Sequence, residues 1–188
     1  MKKKLNKILS FVLCCTMIFS AIFVTGGTIE VQAMEDKQLK SIFSIDAGRK
    51  YFSEDQLKSI IDKAYKNGYT DVQILLGNDA LRFFLADMSM EVNGVTYSSD
   101  DVKEALTKGN KHYYDDPNGN ALTEDEMSRI LAYAKERGLS IVPVINSPGH
   151  MDSILVAMEE LGLEDVRFTH DNKVSERTVN IENAVAVE

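Results

Sequence analysis

SEDQLKSIIDKAYKNGYTDVQILLGND, Ser53 to Asp79, holds the grammar from which the fold is read. Ser53 followed three residues later by Gln56 is a capping-box pattern, in which each side chain serves the other's backbone N–H. Leu57, Ile60, Ile61 and Ala64 then recur at i, i+3, i+4 and i+7, the spacing of one helical face. Gly68 ends the helix, because a residue just past a C-terminus commonly adopts positive φ. From Asp71 to Leu76 the chain turns apolar and β-branched, with Val72, Ile74 and Leu75, and it stops at Gly77-Asn78-Asp79. This reads as a strand whose composition suits burial on both faces.

The pattern repeats. Thr123 with Glu126 forms a second capping box, Met127, Ile130, Leu131 and Ala134 the stripe, and Gly138 the stop. Leu139 to Ile145 is then a strand ending in Asn146-Ser147-Pro148-Gly149-His150. Upstream, Ser41 to Ile45 alternates and ends at Asp46, a first strand. Strand, helix, strand, twice over, predicts an α/β fold of parallel strands joined by right-handed crossovers. Residues 81–122 form a long insertion, with Val92-Asn93-Gly94-Val95 as a hairpin turn and Asp101 to Lys108 as a short helix. Asp152 to Leu161 is a further helix stopped by Gly162, and the pattern weakens from Leu163 to Glu188.

The first 33 residues read differently. Lys2, Lys3, Lys4 and Lys7 precede an apolar run from Ile8 to Val24, and Val31-Gln32-Ala33 offers small residues, the form of a secretory signal peptide cleaved after Ala33. Cys14, Cys15, Thr16 and Ser20 interrupt the run, which argues against a permanent membrane anchor. Both cysteines of the chain lie here, so thiol chemistry and disulfides are not expected after cleavage. Cleavage removes four of 21 basic and one of 29 acidic residues, leaving a balance of about −11. That charge argues against a nucleic-acid partner. The expected organisation is a signal peptide over 1–33, a leader over 34–40 and a folded part over 41–188.

Three polar clusters end three successive strands: Asp46-Ala47-Gly48-Arg49, Gly77-Asn78-Asp79 with Arg82 nearby, and Asn146 to His150. Each alone is explained by turn chemistry, with Asp and Asn capping loops and Pro-Gly punctuating them. Together they mean more. In a parallel α/β fold the C-terminal strand ends converge on one rim, where ligands bind.

The stretches Ser44-Ile45-Asp46-Ala47-Gly48-Arg49-Lys50-Tyr51-Phe52, Leu75 to Phe83 and Val144 to Asp152 resemble glycoside hydrolase family 20. The likeness is strongest to catalytic modules of streptococcal surface β-N-acetylhexosaminidases and runs from about Ile42 to the C-terminus. It implies the N-terminal portion of a TIM (β/α)8 barrel, with about three βα units present. It also implies hydrolysis of terminal β-linked N-acetylglucosamine or N-acetylgalactosamine on glycans, by a retaining mechanism in which the substrate's own acetamide attacks. By the same resemblance Arg49 grips sugar hydroxyls, with Asp46 and Asn146 also on the substrate side. Asp79 and His150 support the acid/base glutamate. No cofactor and no metal are implied.

Two departures stand out. Asn146 occupies a place where many members carry aspartate. The family's Asp-Glu pair, expected after a fourth strand, has no strand-borne match here, and Glu159-Glu160 and Glu164-Asp165 lie on or after a helix. The chain is therefore expected to be an inactive N-terminal fragment of a secreted or surface enzyme, without stable membrane insertion after cleavage. The alternatives are a secreted carbohydrate-binding or adhesion protein that keeps the sugar grip without hydrolysis, and a barrel glycosidase with a protein carboxylate nucleophile. The second would need a pair of carboxylates at strand ends.

Overall fold

Strand β1 (Ile42–Asp46) lies parallel to β2 (Asp71–Asn78), and β2 in turn lies parallel to β6 (Ser140–Ile145). The helices α1 (Glu54–Lys66) and α3 (Glu124–Glu136) provide the crossovers. This computed structural model describes residues 39–112 and 116–188, and Lys40–Glu188 forms one compact unit. The signal-peptide reading falls outside the described residues.

Both capping boxes form. Ser53 accepts from the Gln56 N–H while Gln56 Oε1 accepts from the Ser53 N–H at 2.9 Å, and Thr123 and Glu126 repeat the exchange. Each satisfies donors that a helix N-terminus would otherwise leave without partners. Gly68 and Gly138 take positive φ, 76° and 70°, at the two C-terminal joints.

The apolar stripes meet above β2. Leu57, Ile61 and Ala64 from α1 and Met127, Ile130 and Ala134 from α3 pack on Val72, Ile74 and Leu76 in one buried cluster. Each large aliphatic side chain so removed from water contributes roughly 1.5–3 kcal/mol. The expectation that β2 is buried on both faces holds for one only: Gln73 and Leu75, on the other side of the pleat, are half-buried. On that side Ser44 donates to Gln73 at 2.9 Å.

An ion-pair layer joins α1 and α3 on the outside. Glu54 accepts from Lys58 at 2.6 Å and from Arg129 at 2.8 Å, and Asp62 accepts from Arg137 at 2.7 Å. The Arg137 guanidinium also stacks 3.4 Å above the Tyr133 ring.

The insertion is more ordered than its sequence suggested. It begins with β3 (Ala80–Leu81), antiparallel to the end of β2, followed by the expected hairpin β4 (Met90–Val92) and β5 (Val95–Tyr97). Asn93 and Gly94 both have positive φ, 49° and 74°, as a type I′ turn requires. The short helix is longer than its pattern, α2 (Ser99–Asn110), because Ser98 caps it by accepting from the Asp101 N–H. Helix α2 packs on α4 (Asp152–Glu160) where Gly109 meets the Ser153 backbone so closely that a Cβ has no room. The weakly patterned tail forms an antiparallel hairpin, β7 (Arg167–His170) with β8 (Lys173–Val179), and a short helix α5 (Ala184–Val187). Among the described residues no helix is long and apolar enough to cross a membrane.

Candidate functional site at the strand ends

The three strand ends do converge. Registers pairing Asp46 with Leu75 and Ile145 with Gly77 place the loops after β1, β2 and β6 side by side. Between Leu75 and Gly77 the β2–β6 register shifts, and the Asn146 N–H then reaches the Gly77 carbonyl at 2.7 Å. Gly77 permits this approach, since a Cβ there would lie 2.7 Å from the Ile145 side chain.

Two polar assemblies result. The first runs through two amides to a carboxylate: Asn146 Nδ2 donates to Asn78 Oδ1 at 2.9 Å, and Asn78 Nδ2 donates to Asp46 Oδ2 at 2.6 Å, with Arg49 Nε 3.7 Å from that same oxygen. The other Asp46 oxygen accepts the Gly48 and Arg49 backbone N–H groups at 3.2 and 3.0 Å. Asp46 is thus both a turn residue, as its simplest reading held, and an acceptor shared across two strands.

The second assembly is charged. Asp79 is fully buried, with its side chain 0% exposed. Its Oδ2 accepts from Arg49 Nε at 3.0 Å, and its Oδ1 lies 2.8 Å from His150 Nδ1. Arg49 and His150 keep 40% and 44% of their side chains exposed. The backbones are tied as well, the Asp79 N–H donating to the His150 carbonyl at 2.8 Å. Both residues hold left-handed φ, 66° and 60°. Such conformations are costly for residues with a Cβ and concentrate where the surroundings fix a functional geometry.

All five residues singled out by sequence, Asp46, Arg49, Asp79, Asn146 and His150, therefore meet at one rim. Sequence reasoning passed over Asn78 as a loop cap. The signal was present, because a carboxamide is the side chain able to donate to a carboxylate and accept from a second amide at once. It also passed over the pairing of Arg82 with Asp116 and Asn120, which lie 34 and 38 residues away. Beside Arg49 opens a cavity of about 660 Å³, lined by Lys50, Tyr51, Asp116, Pro117, Asn118 and Asn120 as well. The insertion therefore supplies one wall of it. Burial, followed by the Glu126 and Asp116 carboxylates, pushes the Tyr51 phenol above its ordinary pKa, which keeps it a hydrogen-bond donor.

Chemically the arrangement offers cationic and neutral donors facing solvent, anchored by a buried anion. That suits a neutral, hydroxyl-rich ligand, which needs donors at fixed positions and no net countercharge. A model for the catalytic domain of glycosyl hydrolase family 20 matches residues 42–187. The chain belongs to that family. It is similar in structure to the tandem family-20 catalytic modules of the pneumococcal exo-β-D-N-acetylglucosaminidase StrH, with 54% identity and a TM-score of 0.74. That likeness covers 78% of this chain and 35% of the other. A Streptomyces plicatus β-hexosaminidase in complex with GlcNAc matches at 24% identity and TM-score 0.58, covering 78% of this chain and 27% of that one. A β-N-acetylhexosaminidase from Bacteroides fragilis matches at 21% and 0.56, covering 79% and 27%. These last two likenesses concern the fold alone. The chain spans about a quarter to a third of the length of the structures it matches.

Proposed function

We propose that this chain carries the sugar-gripping part of an exported β-N-acetylhexosaminidase acting on terminal non-reducing β-linked N-acetylglucosamine or N-acetylgalactosamine. The observation that carries the reading is the exposed Arg49 guanidinium fixed on buried Asp79 beside His150. With Nε on Asp79 and Nη2 3.5 Å from His150 Nδ1, the planar fork is held in one orientation at the half-exposed rim, where sugar hydroxyls can accept from it. Asp46 and Asn146, linked through Asn78, form the adjoining polar floor. Strands β1, β2 and β6 with α1, α3 and α4 are, on this reading, the first three βα units of a (β/α)8 barrel, and residues 1–33 are its export signal.

The chemistry proposed is substrate-assisted retention, in which the acetamide oxygen attacks the anomeric carbon and a glutamate protonates the leaving oxygen. Asp79 and His150 are assigned to the support of that glutamate. Neither it nor its aspartate neighbour has a strand-borne match here. The one Asp-Glu dipeptide in the chain, Asp125-Glu126, lies in the first turn of α3, where Glu126 is used by the capping box. The chain by itself is accordingly expected to bind sugar and not to hydrolyse it.

Residues 34–188 should show saturable binding of N-acetylglucosamine by NMR titration, should lose it in Arg49→Ala, and should release no nitrophenol from the 4-nitrophenyl β-N-acetylglucosaminide. Turnover by this chain would overturn the division of labour. Absence of binding in the folded chain would overturn the grip itself. If the coding sequence past Glu188 continues in frame to a strand-borne Asp-Glu, the enzyme is favoured over a non-catalytic carbohydrate-binding protein.

A further inference from the structure

We propose that Arg82 is the positioning residue for Arg49, setting the direction of its guanidinium from beneath the rim without touching any ligand. Only the sugar-binding consequence rests on the function proposed above.

Arg82 is 1% exposed, one of the most completely buried side chains among the described residues. Its backbone is fixed on both sides, its N–H donating to the Leu76 carbonyl at 2.7 Å and its carbonyl accepting from the Leu122 N–H at 2.9 Å. From there the side chain runs under the loop after β1. Nε donates to the Gly48 carbonyl at 3.1 Å, and Nη1 donates to Asp116 Oδ2 at 2.5 Å and to the Asn120 carbonyl at 2.9 Å. Asp116 is itself held by the Asn120 backbone and side-chain N–H groups, each at 2.7 Å. Burial pulls the guanidinium below its ordinary pKa, and Asp116 opposes that.

What makes this a positioning device is the identity of the Gly48 carbonyl. It shares one rigid peptide plane with the Arg49 N–H. Arg82 holds the carbonyl end of that plane, and Asp46 Oδ1 holds the N–H end at 3.0 Å. On its remaining side Gly48 lies against the Asn78 backbone, with a Cβ brought to 2.5 Å of the Asn78 nitrogen. With both ends held, the plane fixes where the Arg49 Cα sits, and from that point the side chain reaches Asp79 with Nε at 3.0 Å. A charge alone would not achieve this. Lysine at position 82 could pair with Asp116, but it lacks the planar fork that reaches the Gly48 carbonyl and Asp116 together.

The test uses the chain labelled with 15N-arginine, in which the Arg49 Nε–H bonded to Asp79 gives a side-chain signal distinct from solvent-exchanging guanidinium groups. In Arg82→Lys, with amide dispersion retained, that signal is expected to move or vanish. N-acetylglucosamine should then bind on the order of tenfold more weakly, the value of about one charge-assisted hydrogen bond. A folded Arg82→Lys with the Arg49 signal unchanged overturns the proposal. If that variant does not fold, Asp116→Asn decides, because it keeps Arg82 while weakening its anchor. A displaced Arg49 signal in it supports the assignment, and an unmoved one overturns it. Loss of the Arg49 signal in a chain whose wild type binds no N-acetylglucosamine would uphold the positioning and remove the sugar reading instead.

Discussion

The outer face of α1 and α3 and the rim of the strand ends are both built from ion pairs, and they use them in opposite ways. On the helices, Glu54 meets Lys58 and Arg129, and Asp62 meets Arg137 and the Tyr133 hydroxyl, with both signs of charge at the surface. Those groups are occupied with one another and with Tyr133. At the rim the anion is sealed in, while Arg49 and His150 are left half in water. A surface pair is worth little because water competes for both members. A buried carboxylate cannot trade its partners for water and so holds Arg49 and His150 in one geometry.

The comparison can be broken most severely from beneath the rim. Arg82→Ala leaves Asp116, itself buried, without its countercharge, and the cost expected is about 3–5 kcal/mol in urea or thermal unfolding. A cost within the range of a surface pair would place Arg82 with the outer layer. Next in size is Gly48→Ala, which drives a methyl group into the Asn78 backbone rather than into a yielding side chain. About 1–3 kcal/mol of overpacking is expected, with loss of sugar binding; unaltered stability and binding would show that the loop shifts freely.

Asp79→Asn sharpens the contrast further. Size is kept and charge removed, and because Arg49 and His150 are partly solvated they can hydrate. About 1–2 kcal/mol of stability is expected to go, while sugar binding falls by about tenfold or more. Equal loss of both would mean that Asp79 is a structural pair like those on the helices.

Glu54→Gln gives the smallest effect and a pH signature. Arg129 first, then Lys58, lower the Glu54 carboxyl from 4.5 to about 2. A carboxyl depressed on folding adds stability above its unfolded pKa and loses it as acid protonates the folded form. Wild type should therefore exceed Glu54→Gln slightly in Tm at neutral pH, with the gap closing between pH 4.5 and 2. A gap that persists near pH 2 would assign the difference to packing.

The sequence made the sheet legible because its signals are local. Ser53 and Gln56, or Thr123 and Glu126, lie three residues apart and report a helix start whatever surrounds them. The convergence of Asp46, Arg49, Asp79, Asn146 and His150 was legible one step later, since parallel topology brings strand ends together without any knowledge of contacts. What escaped depends on contacts between distant segments. Nothing near Arg82 announces Asp116, nor does anything near Leu81 announce Asn110 and Ser153, which both accept its N–H. The tail from Leu163 was opaque for a related reason: β7 and β8 are mostly exposed two-stranded elements, and burial imposes a readable alternation on only a few of their positions.

The β8 strand gives the His150 turn a dependence on time. Its backbone clasps that turn at two points, Met151 N–H to the Arg177 carbonyl at 3.0 Å and Val179 N–H to the Pro148 carbonyl at 3.0 Å. A ribosome delivers the chain from the N-terminus at about 5–20 residues per second. Asp79 and His150 therefore both leave the exit tunnel before the strand that holds their turn, and for some seconds the nascent chain carries the residues of the rim without its clasp. Until residues 177–179 arrive, Arg49 can already rest on Asp79 while the His150 turn beside them still lacks its second support.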